Sequence, residues 1–241
     1  MAMFDPRTVA RNIPGLFDAI FPQLTPGIVA HYNRKARTTD APPVSYDLVQ
    51  QTSIQRAMLF EIGFAIGEKL LSNSKPVWDE CIQVAIERQS FHFDAKIPEK
   101  FTAIDRDVAE IVGTNMASMA NHIASERRSH ICLRPKIPGF QWISSGHGDL
   151  SVGSTLVEVK CSGKNFSSAD YRQIVMYWLL SFSSSIENKY LEWSEVVLMN
   201  PRSATYVAIE FDELLNVISA GRTKVEIFQL FSTIVATRNE R

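Results

Sequence analysis

Residues 155–161 read Thr-Leu-Val-Glu-Val-Lys-Cys, the strongest strand signal in the chain. Strand alternation sets Val157, Val159 and Cys161 on one face and Glu158 with Lys160 on the other. The stretch otherwise reads as buried strand, and burying charges there costs several kcal/mol unless they pair or hold a metal. A second carboxylate stands close by. Asp149 follows Gly148 and lies nine positions before Glu158, and a turn through Gly153 lets the two segments pair as neighbouring strands. Asp149 and Glu158 then converge within reach of one ion.

The surrounding periodicity fits a layered α/β arrangement. Before residue 100 the apolar spacing is helical: residues 45–71 carry Leu48, Ile54, Met58, Leu59, Ile62, Ile66 and Leu70 at three- and four-residue steps. A further helix starts after Pro76 and is expected to end near Phe91. A long helix is expected over 103–128, with Val108, Val112, Met116, Met119 and Ile123 on its buried stripe. Residues 130–143, interrupted by Pro135, Pro138 and Gly139, suggest a bent strand or hairpin. After the strand at 155–161 come a helix over 169–182, short strands at 196–199 and 206–209, a helix over 212–218 and a last helix over 225–236. This order predicts an α/β (α+β) fold with a mixed central sheet flanked by helices. Residues 1–100 read as a helical N-terminal region or cap, and 101–241 as the core.

Bulk properties exclude several classes. With 45% hydrophobic and 21% charged residues the chain is globular rather than disordered. Cys81, Cys132 and Cys161 have no paired spacing and read as reduced thiols of a cytoplasmic protein. No apolar run has the length of a membrane span, and no signal peptide is visible. A net charge of −1 argues against nonspecific coating of nucleic acid, although an enzyme needs only a local basic face. Arg127, Arg128, Lys136, Lys164 and Arg172 are the expected source of that face. No zinc spacing, phosphate loop or Gly-x-Ser-x-Gly element occurs.

Hard divalent cations take oxygen ligands, and Mg²⁺ is typically held by one or two carboxylates plus water and phosphate. Asp149 and Glu158 supply the carboxylates, and the carbonyl of Val159 is a further ligand. Lys160 is a point charge able to orient water or steady developing charge. Gln173 and Tyr177 lie one helical step apart and project from the same face of the following helix, where they can hold Lys160. The bland readings are a turn aspartate at 149, an edge strand blunted by Glu158 and Lys160, and a core tyrosine at 177. His147, beside Asp149, reads as incidental. Ser162-Gly163-Lys164-Asn165 is either an ordinary polar loop or one whose N–H groups reach phosphate.

Asp149, then Glu158-Val159-Lys160, then Gln173 and Tyr177 on a helix, resembles the PD-(D/E)XK nuclease superfamily, and its RecB-like and lambda-exonuclease-like branch in particular. The resemblance covers about residues 101–200. It implies a restriction-endonuclease-like core and a Mg²⁺-dependent deoxyribonuclease, with Mn²⁺ as a substitute ion, that hydrolyses DNA phosphodiester bonds and leaves a 5′-phosphate. Asp149, Glu158, Lys160 and Gln173 would be catalytic, with Asp149, Glu158 and Val159 on the metal. That branch often adds an acidic residue from the helix before the sheet. Glu110 is the expected contributor and Glu126 the alternative. Gly148 stands where the superfamily's proline would be. The partner implied is DNA, within bacterial or phage DNA processing or defence, with a protein partner through the N-terminal helices. Two alternatives stay open: an inactive nuclease-fold module that binds DNA or protein, and an RNA-cleaving nuclease.

Overall fold

The structure, a computed structural model, describes residues 3–12, 15–90, 96–188 and 191–239. In chain order the elements are α1 (Pro6–Asn12), α2 (Leu16–Ile20), α3 (Pro26–Asn33), β1 (Arg37–Thr38), α4 (Tyr46–Gln50), α5 (Arg56–Leu71) and α6 (Trp78–Gln89). There follow α7 (Ala103–Arg127), β2 (Ile131–Leu133), β3 (Lys136–Ile137), β4 (Gly146–His147), β5 (Leu150–Val152) and β6 (Thr155–Val159). The chain continues with α8 (Ser168–Asn188), β7 (Glu195–Asn200), β8 (Thr205–Glu210), α9 (Phe211–Ile218) and α10 (Lys224–Asn239).

Six strands form one mixed sheet in the order β1-β8-β7-β6-β5-β2. β6 and β7 are parallel and are linked by α8, as a parallel pair requires a crossover. The remaining pairings in this sheet are antiparallel. β5 and β6 form a hairpin whose turn passes through Gly153 at φ +57°, a conformation that suits glycine. The segment expected as a bent strand or hairpin is divided between two sheets. β2 joins the main sheet, while β3 pairs with β4 in a separate ribbon, because Pro135 and Pro138 interrupt the ladder.

Helices cover both faces, and strand parity sorts the core accordingly. Val196 and Leu198 of β7, with Leu156 of β6, pack among Ile174, Trp178 and the other apolar residues of α8. Val197, Met199 and Val157 face Met116, Met119 and Ile123 of α7 on the opposite side. α7 starts with a Thr102–Asp105 capping box and ends at Arg128, which adopts a left-handed conformation. Asp105 also accepts from the N–H and hydroxyl of Ser53, at 2.8 and 2.6 Å. That contact sits in the break that divides the helical run expected over 45–71 into α4 and α5. The expected end of α6 near Phe91 lies outside the described residues.

The first hundred residues do not form a body apart. Val9, Leu16, Phe17, Ile20 and Tyr32 share one apolar cluster with α8, α9 and α10. β1 adds an edge strand to the main sheet through Arg37–Tyr206 and Thr38–Thr205. On the other face α5 lies against α7 through glycines. A Cβ on Gly113 would come within 2.6 Å of Ile66 Cγ2 and 2.7 Å of the Gly63 carbonyl oxygen. This close approach makes α5 one wall of the site described next. Gly113→Ala should force the helices apart and cost about 1–3 kcal/mol, the usual range for overpacking. Thermal denaturation should show a fall of several degrees in Tm; an unchanged Tm would refute the contact.

Candidate functional site

At the end of β6 beside its parallel partner, a cavity of about 850 Å³ opens between α1, α5 and the sheet. The β5–β6 register pairs Leu150 with Val157, so the next residues outward, Asp149 and Glu158, stand opposite each other. Asp149 Oδ2 accepts from the N–H of Val159 at 2.8 Å. The carbonyl of Val159 leaves the strand on the same side as that N–H. Gly148 donates its own N–H to the carbonyl of Pro135 at 2.9 Å. A proline at 148 would have no hydrogen to give there.

Glu158 is only 1% exposed. Its Oε1 accepts from Lys160 Nζ at 2.8 Å and from Gln173 Nε2. Gln173 Oε1 accepts from the same ammonium at 3.1 Å, and Gln173 Nε2 donates to the Tyr177 hydroxyl at 3.1 Å. Lys160, Glu158 and Gln173 therefore form a closed set. α8 delivers Gln173 in register because Ser167 and Asp170 cap its first turn: the Ser167 N–H and hydroxyl both donate to Asp170 Oδ2.

The buried Glu158 Oε2 takes no hydrogen bond from an N–H or hydroxyl among the described residues, and the donor that faces Glu158 is the Asp149 carboxyl when it holds its proton. A buried carboxylate oxygen beside a second carboxylate is an environment that suits a hard cation. The chain supplies two carboxylates and the Val159 carbonyl, leaving the remaining positions to water and phosphate. Among the described residues no group of three or more His, Cys, Asp or Glu side chains is placed to hold a metal, so no richer cage competes with this pair. Mg²⁺ is compatible with such a sparse donor set.

Electrostatics separate the two carboxyl groups. Burial pushes Asp149 up to about 7, and the charge of Glu158 acts the same way, against the pull of Arg7 and Lys160. Burial also opposes the charge on Glu158, but Lys160 and Arg7 outweigh it and hold this carboxyl below its ordinary value. Two like charges this close resist joint ionisation. Burial also pushes the nearby Cys161 thiol up to about 12, so it is not a thiolate nucleophile near neutrality.

The structure brings together Asp149, Glu158, Val159, Lys160, Gln173 and Tyr177. It does not bring Glu110. That side chain is exposed and ion-paired with Arg106 at 2.7 Å, one helical turn away on α7, and it does not line the cavity. Glu126 is also elsewhere, paired with Arg127. The helical carboxylates at the cavity are Glu61 and Glu68 of α5, both bonded to Arg88 of α6. Their spacing of seven residues places them on one face of a largely apolar helix, a signal present in the sequence.

The basic face also differs from the expected one. Arg127 is bound to Glu195, and Arg172 lies near Asp18 on the outside of α8. Besides Lys160, the cavity cations are Arg7 and Arg11 of α1, Arg88 and Arg134. Arg7 donates through Nε to the Tyr177 hydroxyl at 2.8 Å and through Nη2 to Asp149 Oδ1 at 3.3 Å. Arg11 donates to Gln173 Oε1 at 3.3 Å. His147 lines the rim and is exposed.

No protein-family model matches the chain, and no curated protein matches it. No helix among the described residues is long and apolar enough to cross a membrane.

The raised Asp149 gives a sign to the pH dependence of stability. Between its ordinary 3.8 and about 7 the folded state keeps a proton that the unfolded chain has released. Stability from this group is therefore present at low pH and falls as pH rises through that window, by up to about 1.4 kcal/mol per pH unit. In metal-free buffer, Asp149→Asn should gain Tm relative to the parent chain on going from about pH 5 to pH 8. Parallel Tm–pH curves would contradict the assignment.

Proposed function

We propose that the chain is a metal-dependent nuclease hydrolysing DNA phosphodiester bonds, with Asp149 and Glu158 as its acidic pair. The observation that carries this reading is the buried Glu158, held on one oxygen by Lys160 and Gln173 and, among the described residues, without an N–H or hydroxyl donor on the other. Without a metal the two carboxyl groups must share a proton, which the raised Asp149 keeps, whereas a bound cation lets both ionise.

When bound, a Mg²⁺ or Mn²⁺ ion polarises the phosphate and lowers the pKa of its water. Asp149, Glu158 and the Val159 carbonyl would hold it. Lys160 keeps its ammonium at the site through Glu158 and Gln173, ready to orient the attacking water and offset charge on the phosphate. Gln173 positions Lys160 and orients Glu158, and Tyr177 fixes Gln173. Arg11 and Arg134 are cavity cations with no carboxylate partner among the described residues and are the groups a polyanion would meet, while the lining as a whole balances Arg7, Arg11, Arg88, Arg134 and Lys160 against Asp5, Glu61, Glu68, Asp149 and Glu158. RNA carries the same phosphodiester and is the runner-up substrate.

The reading as an inactive DNA- or protein-binding module draws on one contact. Arg7 Nη2 lies 3.3 Å from Asp149 Oδ1, so a side-chain cation already neutralises part of the acidic pair. The two readings diverge in a cleavage assay on linear, circular and single-stranded DNA with and without Mg²⁺ or Mn²⁺. The nuclease reading expects metal-dependent cleavage that falls at least about a hundredfold in Lys160→Ala, as loss of one electrostatic stabiliser typically costs. Cleavage indifferent to Lys160→Ala would sink it. Binding with no cleavage by the parent chain would favour the module.

A further inference from the structure

A second polar cavity, of about 350 Å³, lies where the loop after β6 meets the β7–β8 turn. Its central feature is Arg202. The residue is 6% exposed, yet among the described residues no carboxylate, carbonyl or hydroxyl accepts from its guanidinium. The Arg202 nitrogens are not among the fully buried polar atoms that lack a partner, so the guanidinium opens to the cavity, where an anion can pair with it. The charge that acts most on this one is another cation, Arg56, which with burial lowers its pKa.

The backbone around Arg202 is fixed. Its N–H donates to Asn200 Oδ1 at 3.1 Å, and its carbonyl accepts from the N–H of Val44 at 2.8 Å. Asn200 Nδ2 donates to the carbonyl of Ser162 at 2.8 Å, tying the turn to the loop. Gly163 then sits directly over the guanidinium: a Cβ there would lie 3.0 Å from Arg202 Nη1. Any larger residue at 163 would press on that head group. The neighbouring Lys164 is exposed, lines the same cavity and makes no ion pair among the described residues. Phe60 lies under the guanidinium, 6.0 Å from its ring centre, and gives the stem an apolar seat. The built features are thus a locked backbone, a seated stem and a charged head group with nothing to bind.

We propose that Arg202 and Lys164 form a phosphate-binding subsite, separate from the Asp149–Glu158 pair, that takes a backbone phosphate of the nucleic acid strand engaged by that pair. The loop connects the two places directly, since Ser162 follows Lys160 by two residues. Arginine binds phosphate oxygens bidentately, and a nearby lysine adds a point charge. Such contacts position a strand without reading its sequence. The choice of a polynucleotide rests on the nuclease reading; the need for an anion does not.

The test uses the full chain, with Lys160→Ala as a background for binding. Inorganic phosphate, compared with chloride at equal ionic strength, should raise Tm, and Arg202→Met should abolish that response. Without phosphate, Arg202→Met should keep a Tm close to the parent's, because among the described residues the guanidinium makes no hydrogen bond for the substitution to remove. A labelled single-stranded oligonucleotide should bind about tenfold more weakly to Arg202→Met, with a salt slope shallower by about one. Lys164→Ala, a change at an exposed position, should weaken both responses and keeps the test open if Arg202→Met misfolds. No phosphate effect on the parent Tm, or an equal effect in Arg202→Met, would overturn the subsite. Phosphate stabilisation with unchanged oligonucleotide affinity would overturn its assignment to a strand. If cleavage is absent while the phosphate response follows Arg202, the nuclease reading fails and the anion site stands.

Discussion

The site depends on how Glu158 is buried. Its carboxylate is buried between the sheet and α8 at the cavity wall, with Lys160 and Gln173 on one oxygen and, among the described residues, no N–H or hydroxyl donor on the other. The arrangement constrains much of the fold. Strand parity must send Glu158 and Lys160 to the α8 side while Val157 packs against α7. The β5–β6 hairpin must place Asp149 opposite, and α8 must begin where its second turn presents Gln173. A one-residue slip in β6 would exchange the two faces and bury Val157 where the carboxylate belongs.

The N-terminal segment is part of this constraint. Arg7 and Arg11 lie more than 140 residues before the residues they touch, yet they close the site over Asp149, Gln173 and Tyr177. The apolar face of α1 packs on α8 through Val9 and Ala10. The arginines are thereby fixed by core packing and not by a flexible tail. α5 and α6 form the opposite wall through Glu61, Phe64, Glu68 and Arg88, and the Gly63–Gly113 contact seats α5 on α7 behind it. Residues from before position 100 thus line the cavity together with residues from after it.

The sequence makes local features legible and distant ones opaque. Alternation in 155–161 fixes which side chains share a face, and the spacing of Gln173 and Tyr177 fixes their common direction. Gly153 marks the hairpin, and helix α7 is readable almost to its last residue. These follow from periods of 2 and 3.6, which act over a few residues. The contribution of Arg7, Arg11 and Arg88 depends on tertiary packing, for which a single sequence has no period. Glu110 illustrates the limit: it occupies the expected helix but faces solvent beside Arg106, whereas Glu61 and Glu68, on a helix assigned to a separate cap, reach the cavity. Arg202 is a different case, because a basic residue in a turn reads as solvent-exposed until burial shows that it is not.

The central claim is that the Glu158–Asp149 pair holds a divalent cation. Titration of the full chain with Mn²⁺, followed by the loss of the free-ion electron paramagnetic resonance signal, tests it most directly. The account predicts saturable binding that is lost in Glu158→Gln and retained in Glu110→Gln. Binding that survives Glu158→Gln unchanged, or is lost in Glu110→Gln, would contradict it.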